Sequence, residues 1–299
     1  MYDVIVIGGG PAGFTAGLFS KWFGLNTLVL SDPEMPSQLM LASTIENYPS
    51  VDSVSGTELL SRMRKQTEKL GVMVKDEKVS AMKDGGKSKK IITDKGEYDS
   101  KALIIATGAK HRSGGIPGEK EFMGRGVSYC ATCDGHFFKG KNVIVWGGGD
   151  TAMKYAVHLQ TIGCKTTLVH RRKDFRASEY NVEQAKKLGV KFILEKSLVE
   201  IKGDKLVKSV IMDDKKEVPT SAVFVAIGEV PSVEIVKSVG VKVTEANFIE
   251  VDKQQKTNVP GVFAAGDVTT TSLRQVAVSV GEGAIAAKSA LDYVQSIKK

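Results

Sequence analysis

The stretch VIVIGGGPAG, residues 4–13, decides the fold, because its apolar run leads directly into a glycine turn. A helical pattern follows, and a second apolar strand at 27–30 completes the opening of a βαβ unit. Gly8, Gly10 and Gly13 have the GxGxxG spacing of dinucleotide-binding turns. The first glycine permits the tight turn, the second admits a pyrophosphate and the third admits the packed helix, whose N-terminus attracts the phosphates. The stretch therefore predicts a dinucleotide site.

The same order of elements recurs in the middle of the chain as strand, glycine turn, helix and strand, at residues 142–146, 147–152, 153–161 and 166–169. Gly147, Gly149 and Ala152 give a GxGxxA variant, whose alanine still leaves room for the helix to pack. The two turns start 147 − 8 = 139 residues apart, and Gly8–Ser31 and Gly147–His170 both span 23 residues. This repetition predicts a second dinucleotide site on the same plan.

Each copy is followed by a further apolar strand that ends in a glycine, ALIIATG at 102–108 and AVFVAIG at 222–228. A chain of 299 residues suits two such domains, since single domains typically have about 100 to 200 residues. Glycine, proline and polar residues mark candidate hinges at 113–118 and 245–247. We therefore predict an α/β protein with two Rossmann-like dinucleotide-binding domains.

Composition and charge narrow the function classes. Apolar residues make up 42% and charged residues 25% of the chain, which excludes fibrous, disordered and disulfide-scaffold proteins. No apolar run reaches the roughly 18 residues of a membrane span, and no signal-peptide pattern precedes the first strand, so we expect a cytoplasmic protein. The net charge of 42 − 34 = +8 favours anionic partners, but the lysines are spread along the chain, which argues against nucleic acid.

A basic segment follows the second strand of the second copy and comprises His170, Arg171, Arg172 and Arg176. These side chains stand where NAD-specific enzymes place a carboxylate, whereas the first copy has Ser31 at the corresponding position. Guanidinium groups bind a 2′-phosphate through charge-assisted hydrogen bonds. The segment therefore indicates NADPH rather than NADH, with a solvated basic turn as the alternative.

The chain has three cysteines, too few for a disulfide framework, and Cys130 and Cys133 form a CxxC followed by Asp134. Such a pair can be half of a zinc site, with His136 as a third ligand and no evident fourth, or a pair of buried structural thiols. As a redox pair it forms a disulfide, and Asp134 is placed to move a proton during thiol exchange. Two dinucleotide sites favour this redox interpretation, without a metal. We expect Cys164 to be a small core residue.

Taken together, these motifs resemble the low-molecular-weight thioredoxin reductases, which are FAD- and NADPH-dependent flavoproteins, over essentially the whole chain. The matching motifs are GGGPAG at Gly8, QL at Gln38, ENYP at Glu46, ATG at Ala106, PGE at Pro117, GRGVSYCATCDG at Gly124, GGGDTA at Gly147, HRR at His170, RA at Arg176, GVFAAGDV at Gly261 and RQ at Arg274. The block at Gly124 is specific to this family, because larger disulfide reductases carry their cysteine pair near the N-terminus.

The resemblance implies a discontinuous FAD domain, residues 1–113 and 247–299, with an NADPH domain, residues 114–246, inserted into it. It assigns FAD to Gly8, Gly10, Pro11, Ala12, Gly13, Ser31, Gln38, Asn47, Thr107, Gly108, Gly266, Asp267, Arg274 and Gln275. It assigns NADPH to Gly147, Gly149, Asp150, Thr151, Ala152, His170, Arg171, Arg172 and Arg176. It also implies a homodimer.

The implied activity is transfer of electrons from NADPH through FAD and the Cys130–Cys133 pair to the disulfide of a thioredoxin-like protein. By analogy, Cys133 faces the flavin, Cys130 attacks the partner and Asp134 is the acid. Nicotinamide and dithiol would belong to one small domain and must both reach the flavin, so we expect a rotation at the two linkers. The alternatives are a glutaredoxin-like or peroxiredoxin acceptor, or a redox-sensing module without turnover.

The chain departs from the family pattern at a few positions. Pro36 and Ser37 precede the glutamine where glycines are common, and Ser50 stands where a glycine usually follows ENYP. After GGGDTA, Lys154 and Tyr155 replace two glutamates, which reverses the charge beside the expected nucleotide.

Overall fold

The computed structural model describes residues 1–35, 37–42, 44–86 and 88–297. The chain packs into two compact units, Met1–Lys110 with Val230–Lys299, and His111–Glu229. Its first elements are β1 (Tyr2–Ile7), α1 (Pro11–Trp22), β2 (Thr27–Ser31), a 3-10 turn (Gln38–Leu41), α2 (Gly56–Lys69), β3 (Met73–Asp76), β4 (Val79–Asp84), β5 (Lys89–Thr93), β6 (Glu97–Ile105) and β7 (Ala109–His111).

The second unit comprises β8 (Val127–Ser128), α3 (Ala131–Asp134), a 3-10 turn (Gly135–Phe138), β9 (Asn142–Trp146), α4 (Asp150–Thr161), β10 (Lys165–His170), α5 (Glu179–Lys187), β11 (Lys191–Leu194), β12 (Leu198–Gly203), β13 (Val207–Met212), β14 (Glu217–Pro219) and β15 (Ala222–Val225). The chain returns to the first unit through β16 (Glu229–Pro231), and continues with α6 (Glu234–Lys237), β17 (Val262–Ala264) and α7 (Val276–Ser296). β7 and β16, where the chain crosses between the units, pair with each other.

The first unit is built on a sheet of order β3-β2-β1-β6-β5-β4, with β17 beside β6. β1, β2, β3, β6 and β17 run parallel, which confirms the βαβ prediction. Both faces of β1 are covered: Val4 and Val6 pack with α1 and α7, whereas Ile5 and Ile7 pack on the opposite face with residues such as Val236. Burial on both faces explains the uninterrupted apolar run.

The second unit repeats this plan with a parallel sheet of order β11-β10-β9-β15-β8. Val143 and Val145 of β9 pack with α4 and α5, and Ile144 packs on the other face with the antiparallel sheet β12-β13-β14. The predicted fold class, with two Rossmann-like units, is confirmed. Among the described residues, no helix combines the length and apolar character that crossing a bilayer requires.

Helix α1 starts earlier than the sequence pattern indicates, because Pro11 occupies its first helical position, where a missing N–H costs nothing.

The predicted domain limits, 113/114 and 246/247, refer to cofactor-binding domains and stay predictions. By packing, the chain rejoins the first unit at Val230, because Val233, Val236 and Val241 enter the core beneath that unit's sheet.

Candidate active site

Cys130 and Cys133 are joined by a disulfide, with their Cα atoms 5.3 Å apart. The short helix α3 starts between them, and the backbone N–H groups of Cys133 and Asp134 both donate to the carbonyl of Cys130. Ala131, between the two cysteines, is fully buried and anchors this helix in the core of the second unit. The predicted pairing of the two sulfurs is therefore present, and in this state neither sulfur is a thiolate that could bind zinc.

Asp134 lies beside the disulfide and is held by Ser128. The Ser128 hydroxyl donates to Asp134 Oδ2 at 2.6 Å and accepts from the Cys130 backbone N–H at 3.0 Å. Asp134 Oδ1 is buried and has no hydrogen-bond partner in the described part of the chain. Burial raises the pKa of Asp134, although the Ser128 hydrogen bond and the charge of His136 act in the opposite direction. The carboxyl group therefore keeps its proton to higher pH than an exposed aspartate.

Tyr129, the residue before the disulfide, is fixed on two sides. Its hydroxyl donates to Glu119 Oε1 at 2.6 Å, and its ring stacks on His111 with centroids 5.2 Å apart. Its carbonyl accepts from the Tyr155 hydroxyl at 2.9 Å. Tyr155, one of the departures from the family pattern, thus connects α4 to the backbone that leads into Cys130.

The first glycine turn closes tightly on itself. Gly8 has φ +125°, and a Cβ there would overlap the carbonyl of Ala106, while a Cβ on Gly13 would overlap the carbonyl of Gly8. The first turn of α1 begins at Pro11 and carries no acidic side chain. No carboxylate in this turn therefore competes for its N–H groups, which fits the pyrophosphate of a dinucleotide.

Residues that are distant in sequence meet in the first unit. The Asn47 side chain donates to Gln275 Oε1 at 3.0 Å, across 228 positions. A Cβ on Gly266 would contact Ala12 at 2.9 Å, so the segment of Gly266 passes close to the start of α1. All four of these residues belong to the predicted FAD set.

The remaining members of the FAD set have local roles in the structure. The Thr107 hydroxyl donates to the Ser232 carbonyl at 2.8 Å, and Asp267 accepts from Ser279 at 3.4 Å. The Arg274 guanidinium lies 4.2 Å from the centre of the Phe248 ring. Gly108 precedes β7, Ser31 packs beside Gly9, and Gln38 begins the 3-10 turn. Pro36 lies outside the described residues.

The backbone conformation at Ser50 is the one that the family's usual glycine would favour. Its φ is +73°, in the left-handed region where glycine is favoured. The serine therefore adopts a conformation that a glycine would adopt at lower cost.

The second glycine turn brings its predicted residues to the start of α4. A Cβ on Gly147 would overlap the carbonyl of Ala226, while nothing lies within 4 Å of a Cβ on Gly149. Ala152 is fully buried in the core behind the turn, and Thr151 follows Asp150 in the first turn of α4. The open space at Gly149 fits close approach of a phosphate group.

The basic segment is attached to this turn. Arg171, Arg172 and Arg176 are exposed, but His170 is buried, and its ring fills the space that a side chain on Gly148 would occupy. Burial lowers the pKa of His170. The three guanidinium groups are therefore accessible to solvent, whereas the histidine ring packs inside the unit.

Sequence reasoning missed several residues that hold these groups. Ser128 positions Asp134, Asn181 binds Asp150, and Glu282 accepts from the Gly266 backbone N–H at 2.7 Å. Ser128 lies inside the block GRGVSYCATCDG, so its six-residue distance from Asp134 was a usable signal. The other two contacts join separate elements and leave no local pattern.

Comparison with known proteins agrees with this geometry. The model of the pyridine nucleotide-disulphide oxidoreductase family matches residues 2–283. The thioredoxin reductase of Listeria innocua is 38% identical over 307 residues, covering 100% of this chain and 96% of that protein. The thioredoxin reductase of Bacillus subtilis is 37% identical over 308 residues, with the same coverage.

Solved structures give the same result. The thioredoxin reductase from Streptococcus pyogenes has a TM-score of 0.92 and 36% identity, covering 99% of both chains. The thioredoxin reductase from Giardia duodenalis has a TM-score of 0.94 and 36% identity, covering 98% of this chain and 99% of that one. The chain therefore belongs to the pyridine nucleotide-disulphide oxidoreductase family and, within it, to the thioredoxin reductases.

Proposed function

We propose that this chain reduces the disulfide of a thioredoxin-like protein with electrons that pass from NADPH through FAD and the Cys130–Cys133 disulfide. One observation carries the proposal: the disulfide, with Asp134 hydrogen-bonded beside it, lies in the unit that also contains the second glycine turn and the basic segment. The relatives named thioredoxin reductase support the same activity.

We assign FAD to the first glycine turn and NADPH to the second. The first turn of α1 carries no carboxylate, which suits a pyrophosphate, and the Asn47–Gln275 pair would lie with Gln38 and Arg274 near the flavin ring. At the second turn, the three exposed guanidinium groups suit a 2′-phosphate. A bound flavin supplies a carrier that accepts a hydride from the nicotinamide and passes two electrons to the disulfide.

A residue beside the disulfide can supply a proton when the disulfide is reduced. Cleavage of the Cys130–Cys133 bond consumes two electrons and two protons and gives two thiols. Because the pKa of Asp134 is raised by burial, this carboxyl group can deliver one proton to a departing sulfur, and solvent supplies the other. Ser128 holds the carboxyl group in place for this transfer.

Thiol exchange then passes the electrons to the partner. The Cys130 thiol loses its proton to solvent, and the resulting thiolate attacks one sulfur of the partner's disulfide. The partner's other sulfur leaves and takes up a proton, which gives a mixed disulfide. Cys133 loses its proton in the same way and attacks the Cys130 sulfur. This step restores the internal disulfide, and the departing sulfur takes up a proton, so the partner is released as a dithiol. The partner gains the two electrons that NADPH supplied, so the internal disulfide is unchanged after one cycle.

Cys133→Ser tests this route. We expect NADPH to bleach the flavin absorbance of this variant as it does in the wild type, while reduction of a thioredoxin disulfide is abolished. Cys164→Ser is the matched control, since Cys164 is buried and its thiol donates to the Phe138 carbonyl at 3.2 Å, a bond that serine can also make. Disulfide reduction retained by Cys133→Ser, or a protein that cannot be loaded with FAD, would refute the route.

The choice of acceptor and the assembly are part of the same proposal. Assays with a thioredoxin, a glutaredoxin and a peroxiredoxin in parallel distinguish the acceptors, and the thioredoxin should be reduced fastest. The homodimer and the cytoplasmic location predicted from the sequence remain predictions, the first of which light scattering on the purified protein measures.

A further inference from the structure

The loop that carries the three exposed guanidinium groups connects β10 to α5. We call residues 171–178 the basic loop; it contains Arg171, Arg172 and Arg176. Phe175 and Ala177 of this loop pack against the core of the second unit, and the Phe175 ring stacks on His170 with centroids 5.6 Å apart. The three arginines are exposed, so hydrogen bonds to neighbouring elements also help to position the loop.

The first of these bonds joins the loop to the second glycine turn. The backbone N–H of Arg176 donates to the Gly148 carbonyl at 3.0 Å. Because this bond uses only backbone atoms, it sets the distance between the turn and the Arg176 backbone whatever side chains are present. It does not fix the far end of the loop, where α5 begins.

The second set of bonds fixes that far end. Asp150 Oδ1 accepts from the Ser178 backbone N–H at 2.9 Å, from the Ser178 hydroxyl at 3.0 Å and from Asn181 Nδ2 at 2.6 Å. Ser178 is the N-cap of α5, and its hydroxyl donates to Asp150 of α4 rather than capping an N–H group of that helix. Its own backbone N–H also donates to Asp150. The Ser178 N–H and the Asn181 amide also lower the pKa of Asp150.

These bonds also account for an acidic side chain beside a phosphate site. A carboxylate in the first turn of α4 would repel the pyrophosphate expected there. In the structure, Asp150 Oδ1 accepts three hydrogen bonds from Ser178 and Asn181 at the start of α5, which partly neutralise its charge. The predicted contact of Asp150 with NADPH stays a prediction, and the contacts that the structure shows are with Ser178 and Asn181.

We propose that Asp150, Ser178 and Asn181 form a clamp that positions the basic loop for a 2′-phosphorylated adenosine, and that they are positioning residues for discrimination between NADPH and NADH. The inference rests on the proposed binding of a pyridine nucleotide at the second glycine turn. Guanidinium groups gain affinity for a phosphate when they are held in place before binding, because less ordering then accompanies binding. A ligand without the 2′-phosphate does not use the loop and gains nothing from the clamp.

The test is direct binding to the FAD-loaded protein, measured by calorimetry with adenosine 2′,5′-bisphosphate and with adenosine 5′-monophosphate. Asn181→Ala removes one clamp bond without touching the guanidinium groups. We expect this variant to bind the bisphosphate about fivefold more weakly, which corresponds to the loss of one hydrogen bond. Its binding of the monophosphate should weaken by less than about twofold. The KM for NADPH should rise by the same factor with the KM for NADH unchanged.

Three further variants, Gln184→Ala, Asp150→Asn and Asp150→Ala, complete the set. Gln184→Ala removes the other amide side chain of α5 and should leave both ligands unaffected. Asp150→Asn keeps an acceptor oxygen but loses the charge, and should fall between the wild type and Asp150→Ala in its preference for the bisphosphate.

Each other outcome overturns the inference in a recognisable way. If Asn181→Ala weakens the binding of both ligands equally, the clamp stabilises the whole unit rather than the basic loop. If it weakens the binding of neither ligand, the clamp does not contribute to binding. In both cases the NADPH proposal stands. If the wild type itself binds both ligands equally, the NADPH proposal fails and the clamp fails with it.

Discussion

Asp134 shows at the level of one residue how function and stability oppose each other. Burial raises the pKa of this carboxyl group, so the folded protein binds its proton more tightly than the unfolded chain does. Between the unfolded pKa and the raised folded pKa, the free energy of unfolding therefore falls as pH rises. Above the folded pKa the ionised group costs stability in full, and below the unfolded pKa that cost is absent.

We therefore expect Asp134→Asn to raise the free energy of unfolding at neutral pH by about 1 kcal/mol, and this gain to disappear on acidification below about pH 4. Asparagine keeps an oxygen that accepts from Ser128, so packing should be preserved. Thermal unfolding of the FAD-loaded protein across this pH range measures the effect. The same variant should slow thiol exchange more than flavin reduction by NADPH.

Asp76→Asn is the control of opposite sign. The Arg64 guanidinium, 2.8 Å away, lowers the pKa of Asp76, so the pair stabilises the fold at neutral pH and is lost on acidification. Because both side chains are partly exposed, this substitution should cost less than about 1 kcal/mol. A pH-independent difference between Asp134→Asn and the wild type would show that burial does not penalise the carboxylate.

The packing of α7 on α1 is decided at the level of the element. Gly283 of α7 lies so close to α1 that a Cβ would overlap the carbonyl of Ala12, in the turn assigned to FAD. Gly281, two residues earlier on the same helix, has nothing within 4 Å of a Cβ. The two glycines therefore separate close packing from helix propensity.

Gly283→Ala should push the two helices apart, lower the melting temperature and weaken the retention of FAD on dialysis. Gly281→Ala should do the reverse and stabilise the protein by about 0.5–1 kcal/mol, because alanine favours a helix over glycine. Thermal unfolding and the ratio of flavin to protein absorbance measure both variants. Equal behaviour of the two would contradict the close packing.

At the level of the whole molecule, the chain divides its chemistry between two units of the same plan. The residues proposed to bind FAD belong to the first unit, whereas the disulfide and the residues proposed to bind NADPH both belong to the second. Reacting atoms must approach to roughly 3–3.5 Å, so nicotinamide and disulfide cannot occupy one place beside the flavin together. We therefore keep the prediction of a rotation at the two linkers, which the sequence indicated at 113–118 and 245–247. In the structure the chain crosses between the packed units at β7 and β16.

A short bifunctional reagent that joins the two units should abolish steady-state turnover while sparing one half-reaction, either flavin reduction by NADPH or disulfide reduction by the flavin. Stopped-flow absorbance follows each half-reaction separately. A monofunctional reagent that modifies the same residues is the control and should leave turnover intact. Full activity of the cross-linked protein would contradict the rotation.

The sequence by itself determined the features that depend on neighbouring residues. The glycine spacing after β1 and β9, the apolar runs of buried parallel strands and the pairing of Cys130 with Cys133 all follow from local geometry. Each needs only a few consecutive positions, which is why two Rossmann-like units and a redox disulfide could be predicted.

The tertiary structure decided which side chains meet across elements. Asn47 contacts Gln275 over 228 positions, Asp150 accepts a hydrogen bond from Asn181, and His170 is buried while its arginine neighbours are exposed. In the structure, residues 230–246 also pack with the first unit, and Val236 lies in its core. Such contacts depend on how helices and sheets pack in three dimensions, and no local propensity encodes that packing.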